Sequence, residues 1–293
     1  MKGAEGGRRF WRPDLYMHEL GRFLSVRRQR TTPEVVGLPT GRRRRTPGLR
    51  REEVAVLAGV SPTWYTRLEQ GRTAAPSMDR LQRLAEVFRL SEDEWRYLYK
   101  LRRRNEYPEQ EPPPRQVVER MARQVNQSVD PYPMLLMNEY QDLLGWNPAA
   151  VEWYSDFARL PPARRNLLWW VLTAPEAREK IVNWAENAAC MVARFRVETA
   201  NWLGEPRLTE LVGVLREVSP LFRRLWDEHH VTTGSTRRYT ARHPERGVVD
   251  MQAVVLQEAH GSLNITYFLP VDESALAADE SGWTAPARLV ASR

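Results

Sequence analysis

The sequence predicts an α+β protein of two domains. We expect an all-helical bundle at residues 1–104 and an antiparallel five-stranded sheet with helices on one face at residues 117–293. Three observations support this. Residues 1–104 carry a net charge of +12 and the remainder −5. The prolines of "NEYPEQEPPPRQ", residues 105–116, cannot continue the preceding helix and indicate a linker. Finally, the hydrophobic period changes from helical to alternating towards the C-terminus.

Composition restricts the classes of protein to consider. The chain is 42% hydrophobic and 28% charged, and no run approaches the roughly 18 apolar residues of a membrane-spanning helix. Its start, "MKGAEGGRRFWR", lacks the apolar core of a secretory signal, so we expect a cytoplasmic protein without a membrane partner. The single cysteine, Cys190, excludes an internal disulfide framework and a thiolate-rich metal site, and we expect it to be buried on a helix.

The first domain begins with an amphipathic helix and a basic loop. Leu20, Phe23 and Leu24 recur at helical spacing within "HELGRFLSVRRQR". The loop that follows, "GLPTGRRRRTPGLR", contains two prolines, three glycines and four consecutive arginines. Taken alone, such a run is usually a solvated surface, but the motif that follows it favours a nucleic-acid contact. The four arginines are Arg42, Arg43, Arg44 and Arg45.

That motif is "REEVAVLAGVSPTWYTRLEQ", residues 51–70, which predicts two short helices meeting at a corner. Val54 and Ala58 form the buried stripe of the first helix, and Gly59 can adopt the left-handed conformation that ends it. Ser61 can cap the second helix, with Pro62 in its first turn. The motif is therefore predicted to be a helix-turn-helix.

We expect Tyr65 and Leu68 to pack the second helix against the first. The opposite side of the second helix then faces outward. A helix fits the major groove, where residues near its N-terminus can contact base edges. The arginines at the start of the first helix are placed to contact phosphate. The alternative is an ordinary helical hairpin whose polar face meets only water. The predicted DNA contacts of this motif are Arg50, Arg51, Ser61, Thr63, Trp64, Thr66 and Arg67.

Two further helices, "SMDRLQRLAEVFRL" and "SEDEWRYLYKLRRR", complete the bundle. With them, "GRRRRTPGLRREEVAVLAGVSPTWYTRLEQGR" resembles the Xre-type helix-turn-helix of MmyB-like transcription regulators over roughly residues 15–104. The resemblance implies sequence-specific binding to double-stranded DNA, commonly as a homodimer on two half-sites. It also implies that the helix beginning at Ser61 contacts the bases.

The second domain is predicted to open with two strands, "YPMLLM" and "YQDLLGWN", joined by a tight turn at Asn138 and Glu139. A long helix should start at "TAPE", where Thr173 and Glu176 form a capping box, and run until Gly204. Two more helices are expected in "RLTELVGVLREV" and "SPLFRRLW". The final strands are predicted in "STRRYTAR", "GVVDMQAVVL" and "SLNITYFL".

This order of elements resembles a PAS domain, with the first hairpin beside the last strand, and the ligand-binding half of MmyB-like regulators. The resemblance implies a small-molecule sensor with an apolar, fatty-acid-like ligand. We predict that the pocket wall includes Met191, Phe195, Trp226 and Met251. A carboxylate head would meet one or more of Arg223, Arg224, His229 and His230. Eight of the chain's eleven tryptophans lie in this domain, and each is expected in a core or a dimer seam.

The sequence contains none of the common catalytic motifs, such as His-Glu-x-x-His, Gly-x-Ser-x-Gly or a P-loop. The adjacent His229 and His230 would point about 100° apart on a helix, which is poor geometry for sharing a metal. We therefore expect no catalytic residues, no metal site and no required cofactor. Two alternatives remain: a second domain that only dimerises or binds protein, and a sensor that uses haem or flavin.

Overall fold

The computed structural model describes residues 13–39, 48–103, 113–127, 131–232, 237–257 and 263–271. It confirms the α+β class, since a helical N-terminal part is followed by helices and a five-stranded antiparallel sheet. The arginine run Arg42–Arg45 lies outside the described residues. None of the described helices is both long enough and apolar enough to cross a membrane.

The N-terminal part packs five helices around one core. A short 3-10 turn at Pro33–Val36 follows the first helix. The core side chains come from every helix and include Leu20, Phe23, Val54, Tyr65, Leu68, Leu84 and Tyr97. The helices are α1 (Pro13–Arg30), α2 (Arg51–Leu57), α3 (Pro62–Glu69), α4 (Met78–Val87) and α5 (Glu92–Arg103).

The corner between α2 and α3 forms as predicted. Gly59 adopts a positive φ of 62°, and the amide of Val60 donates to the Ala55 carbonyl at 2.9 Å. The Ser61 hydroxyl accepts from the amide of Trp64 at 3.2 Å, and Pro62 occupies the first position of α3. These local signals end one helix and start the next because each satisfies backbone groups at a helix terminus.

Helix α1 crosses α3 at very short range. A Cβ atom placed on Gly21 would lie 2.5 Å from the carbonyl oxygens of both Leu68 and Glu69. No side chain fits between these backbones, so glycine at this position allows α1 to pack directly on α3.

The C-terminal part has seven helices and five strands in the described ranges. The elements are α6 (Arg115–Asn126), β1 (Met134–Asn138), β2 (Leu143–Trp146), α7 (Pro148–Trp153), α8 (Leu167–Thr173), α9 (Pro175–Lys180), α10 (Trp184–Glu198), α11 (Pro206–Val218), α12 (Pro220–Asp227), β3 (Arg237–His243), β4 (Gly247–Gln257) and β5 (Leu263–Pro270). The strand order is β2-β1-β5-β4-β3, and every neighbouring pair is antiparallel. The first hairpin lies beside the last strand, as predicted, because β1 pairs with β5.

One helix departs from the predicted arrangement of helices on a single face. Helices α7–α12 contribute to the main core, on the face of the sheet that carries Leu135 and Met251. Helix α6 packs on the opposite face, against Leu136 and Leu263. The strands carry apolar side chains on both faces, so the second face also needs cover. Because α6 begins at Arg115, it overlaps the last two residues of the predicted linker.

The predicted long helix from Thr173 to Gly204 is interrupted. Thr173 ends α8, with its hydroxyl donating to the Trp169 carbonyl at 2.8 Å, so the predicted capping box with Glu176 does not form. Pro175 forces the residue before it out of helical conformation. Between α9 and α10, Ile181 is extended and forms a bridge with Ala241 of β3. Pairing with the sheet edge therefore outweighs the helical periodicity here.

Candidate DNA interface and ligand cavity

Helix α3 has the outward polar face that the sequence predicts. Ser61, Thr63 and Arg67 are exposed, and Trp64 and Thr66 are half-buried. Tyr65 and Leu68, on the opposite side, are fully buried in the core. The helix can therefore present hydroxyl groups and a guanidinium to another molecule without unfolding.

Two ion pairs of one buried carboxylate, that of Glu69, hold α3 in place. The Glu69 side chain, only 2% exposed, accepts from Arg28 Nε of α1 and from Arg51 Nε of α2, each at 2.6 Å. Arg51 was predicted to contact phosphate, but the structure shows that it also ties α2 to α3. Its side chain remains 45% exposed. Arg50, the residue before α2, is exposed, and its backbone amide donates to Glu53 at 2.7 Å.

Part of the Trp64 side chain packs against α4. The guanidinium of Arg80, on α4, lies 4.9 Å from the centre of the Trp64 ring. This contact covers part of the indole, so Trp64 belongs both to the outward face and to the junction between α3 and α4. Its role as a DNA contact stays a prediction, and it would use the part of the indole that remains exposed.

The C-terminal part contains a cavity of about 560 Å³ between the sheet and helices α8 and α10. One set of lining side chains is apolar or aromatic: Met137, Leu167, Trp170, Val171, Ile181, Met191, Trp202, Phe268, Tyr154 and Tyr239, among others. A second set is polar: Asn138, Gln141, Asn183, Asn187, Asn201, Asn264, Thr266 and Thr232, among others. The wall is therefore amphipathic, which suits a ligand with an apolar body and a polar group.

The structure places one of the four predicted pocket-wall residues at this cavity. Met191 lines the cavity. Phe195 and Met251 are fully buried but face other parts of the core. Trp226 stacks on Phe222, with ring centres 5.2 Å apart, because α12 packs against α10 and α11 rather than over the cavity.

The predicted head-group residues also lie elsewhere. Arg223, Arg224 and His230 are exposed on or after α12, and His229 is buried at a junction with the N-terminal helices. Cys190 was expected to be buried but is exposed on the cavity wall. A helical period identifies faces of α10 and α12, but it does not show which of their neighbours each face contacts.

Gln141, Asn264 and Thr266 are cavity residues that the sequence analysis missed. Each has a buried side-chain oxygen with no hydrogen-bond partner among the described residues. Asn264 and Thr266 alternate with apolar residues along β5, a pattern that by itself also fits a solvent-facing strand side. Among the described residues, no group of three or more His, Cys, Asp or Glu side chains is placed to hold a metal ion.

A buried polar cluster joins the N-terminal helices to the C-terminal part, which contains the cavity. Glu19 of α1 pairs with Arg196 of α10, whose side chain is only 2% exposed and also donates to the Trp226 carbonyl. Tyr97 Oη donates to Glu19 at 2.7 Å, and His229 Nδ1 lies 3.3 Å from the same carboxylate. Burial alone would raise the pKa of Glu19, but His229 and Arg196 together hold it well below its usual range.

Other contacts extend this junction. Lys100 Nζ of α5 donates to the Val197 carbonyl at 2.9 Å and also lines the cavity. Tyr16 Oη of α1 donates to the carbonyl of Asn201 at 2.8 Å. Helix α10 and the turn after it therefore contribute to the cavity wall. They also contact α1 and α5, which belong to the same helical bundle as α3.

We expect the junction to make stability depend on pH. Burial, followed by the charge of Arg196, lowers the pKa of His229 despite the opposing effect of Glu19, so the folded protein favours the neutral form of this histidine more than the unfolded chain does. Below a pH of about 6.5 the unfolded chain binds the proton more readily, and the free energy of unfolding should fall as pH decreases. Below about 4.3, protonation of Glu19 in the unfolded chain adds a second loss, because its folded pKa is lowered.

Urea denaturation between pH 7.5 and 5 measures this dependence. His229→Gln should flatten it, whereas His230→Gln should change it less, because His230 has a half-exposed side chain. Equal slopes for wild type and His229→Gln would contradict the assignment to His229.

Comparison with known families gives two matches. A model described as "MmyB-like transcription regulator ligand binding domain" matches residues 118–280, and one described as "Helix-turn-helix domain" matches residues 19–98. Comparison with curated proteins finds no match.

Proposed function

Because the chain belongs to the MmyB-like transcription regulator family, we propose that its α3 helix contacts bases of a specific DNA site and that its cavity senses a small amphipathic ligand. The proposed DNA contact is supported by the outward face of α3, where Ser61, Thr63 and Arg67 are exposed. The Glu69 ion pairs with α1 and α2 hold that face in a fixed orientation. A fixed orientation is what docking into the major groove requires.

The phosphate contacts are proposed for the arginines around this helix. Arg50 immediately precedes α2 and Arg51 is its first residue. At this end of the helix, side-chain charge and helix dipole both favour an anion. Arg42–Arg45 are proposed to add a sequence-independent attraction to the DNA backbone. A homodimer on two half-sites is part of the proposal, and a palindromic sequence among selected sites would support it.

The ligand half of the proposal rests on the cavity. Its volume of about 560 Å³ lies in the range of small-molecule sites, and its wall combines aromatic and aliphatic side chains with several amides. A fatty acid or another molecule with an apolar chain is the class of ligand we propose. Because α10 borders the cavity and contacts α1 and α5, occupancy can be communicated to the DNA-binding helices.

Arg67→Ala tests the proposed role of α3. A DNA site is first selected from a random duplex library with the wild-type protein, and binding is then measured by fluorescence anisotropy. We expect the variant to lose about 1–3 kcal/mol of affinity for the selected site and much less for random DNA, because Arg67 is proposed to contact a base. Neutralising Arg42–Arg45 should instead weaken binding to both DNAs and reduce the salt dependence.

Arg96→Ala is the matched control. Arg96 is exposed on α5 and pairs with Glu92 of the same helix, so its removal should leave both affinities nearly unchanged. Equal losses for Arg67→Ala on selected and random DNA would refute base contact by Arg67.

A further inference from the structure

We infer that the cavity prefers an uncharged amphipathic ligand whose head group donates hydrogen bonds, such as an alcohol or a primary amide, over the carboxylate of a fatty acid. The inference rests on the proposed sensor function and specifies the chemistry of its ligand. It follows from the acceptor atoms of the wall, from the fixed orientation of one amide, and from the balance of charge around the cavity.

The wall presents buried acceptor atoms that lack partners. Gln141 and Thr266 are 9% and 3% exposed, and neither Gln141 Oε1 nor Thr266 Oγ1 bonds to another described residue. Asn264 Oδ1, two residues before Thr266 on β5, is in the same situation. A buried acceptor without a partner costs free energy, and a ligand that supplies N–H or O–H groups recovers it. An ionised carboxylate can accept from the Thr266 hydroxyl, but it has no hydrogen to donate to Gln141 Oε1 or Asn264 Oδ1.

The orientation of the Gln141 amide is set by its neighbours. Its Nε2 donates to Glu198 Oε2 at 3.1 Å, and because that carboxylate only accepts, the amide oxygen must point away from it. The Gln141 backbone is fixed in turn, with a φ of 64° and its carbonyl accepting from the amide of Leu167 at 3.0 Å. Its oxygen is therefore an acceptor held in place in the cavity wall, and a flip of the amide would place Oε1 against Glu198.

The charges around the cavity do not favour an added anion. Among the described residues, three basic lining residues are matched in number by three acidic ones: Lys100, Arg194 and Arg238 against Glu139, Glu186 and Glu198. Arg194 Nε lies 3.9 Å from Glu198 Oε1, and Lys100 already donates to the Val197 carbonyl. Burial lowers the pKa of Lys100, against the attraction of Glu198. A ligand carboxylate at Arg194 or Lys100 would therefore compete with Glu198.

The rest of the cavity suits an apolar chain. Trp170, Val171, Ile181, Met191 and Phe268 contribute to a wall that can pack against methylene groups. The hydroxyls of Tyr154 and Tyr239, which also line it, bond to each other. A ligand with one short donor head and an unbranched tail thus matches both parts of the wall.

The first test compares ligands of one chain length on the full-length wild-type protein. Binding of 1-decanol, decanamide and decanoate is measured by isothermal titration calorimetry at pH 8, where the acid is ionised. We expect the alcohol and the amide to bind at least about tenfold more tightly than the acid, because only they can donate to Gln141 Oε1.

Thr266→Val provides a second readout, since valine keeps the shape of threonine and removes the hydroxyl. We expect the unliganded protein to melt about 2 °C higher, because a buried unpaired oxygen is lost, while affinity for 1-decanol falls about three- to tenfold. The control is Thr199→Val, at a buried threonine whose hydroxyl donates to the Phe195 carbonyl at 2.6 Å. That variant should lose stability and keep its affinity for 1-decanol.

The outcomes separate this inference from the function on which it rests. Tighter binding of decanoate than of the alcohol and amide would overturn the inference and leave the sensor function standing. Unchanged affinity of Thr266→Val for 1-decanol would also overturn it. Failure of all three ligands to bind would overturn the inference together with the proposed sensing of an amphipathic ligand.

Discussion

Arg196→Met is expected to lower the free energy of unfolding by about 3–5 kcal/mol, the usual cost of leaving a buried charge without its partner. Arg196 pairs with Glu19 across the junction of α1 and α10 and is almost completely buried. Methionine keeps an apolar stem against the Trp226 ring, which the guanidinium covers at 3.9 Å, so the loss reports on the ion pair and on the hydrogen bond to the Trp226 carbonyl. Urea denaturation at pH 7.5, followed by circular dichroism, measures it.

Two further variants distinguish loss of the buried ion pair from loss of an arginine side chain in general. Arg216→Met removes a more exposed arginine that pairs with Asp227, and we expect a change below about 1 kcal/mol. Adding Glu19→Gln to Arg196→Met should recover part of the loss, because the buried carboxylate is then neutral. A double variant that is less stable than Arg196→Met would contradict the role assigned to Glu19.

Gly21→Ala is expected to destabilise the N-terminal part by about 3 kcal/mol, at the upper end of the usual cost of overpacking. The added methyl group would lie 2.5 Å from the backbone oxygens of Leu68 and Glu69, so α1 and α3 must move apart. Because α3 carries the proposed base contacts, affinity for the selected DNA site should fall together with stability. Thermal denaturation and anisotropy titration at 10 °C measure the two effects.

Gly213→Ala is the matched control, since Gly213 also lies within a helix, α11. In the part of the chain that the structure describes, no atom lies within 4 Å of a Cβ atom at that position, outside its chain neighbours and its own helix backbone. Alanine is the better helix former, so we expect a gain of about 0.5–1 kcal/mol. Similar losses in both variants would show that close packing of α1 on α3 is not the cause.

The helix-turn-helix was predictable because its signals are local. Gly59 at a positive φ, the Ser61 cap and Pro62 at the start of α3 each act within a few residues of the chain. The outward face of α3 also followed from helical period, since Tyr65 and Leu68 had to pack inward. The ion pairs of Glu69 with Arg28 and Arg51 were not predicted, because they join three helices.

The cavity was much less predictable. Of the eight residues predicted for the pocket wall and the head-group contact, Met191 is the one that lines this cavity, while Gln141, Asn264 and Thr266 were missed. Because side chains alternate between the two faces of a strand, the sequence shows that Asn264 and Thr266 lie on the same side of β5. It does not show which side of the sheet faces the helices. Both sides of the sheet turned out to be covered, one by α6 and the other by α7–α12.

By itself the sequence determined the α+β class, the turn between α2 and α3, and the inner and outer sides of α3. Each depends on backbone conformations and helical spacing over fewer than about ten residues. Only the tertiary structure decided where the predicted long helix breaks, that His229 lies beside Glu19 and Arg196, and which polar side chains line the cavity. Those features depend on contacts between segments up to about 200 residues apart, and local propensity carries no information about which segments meet.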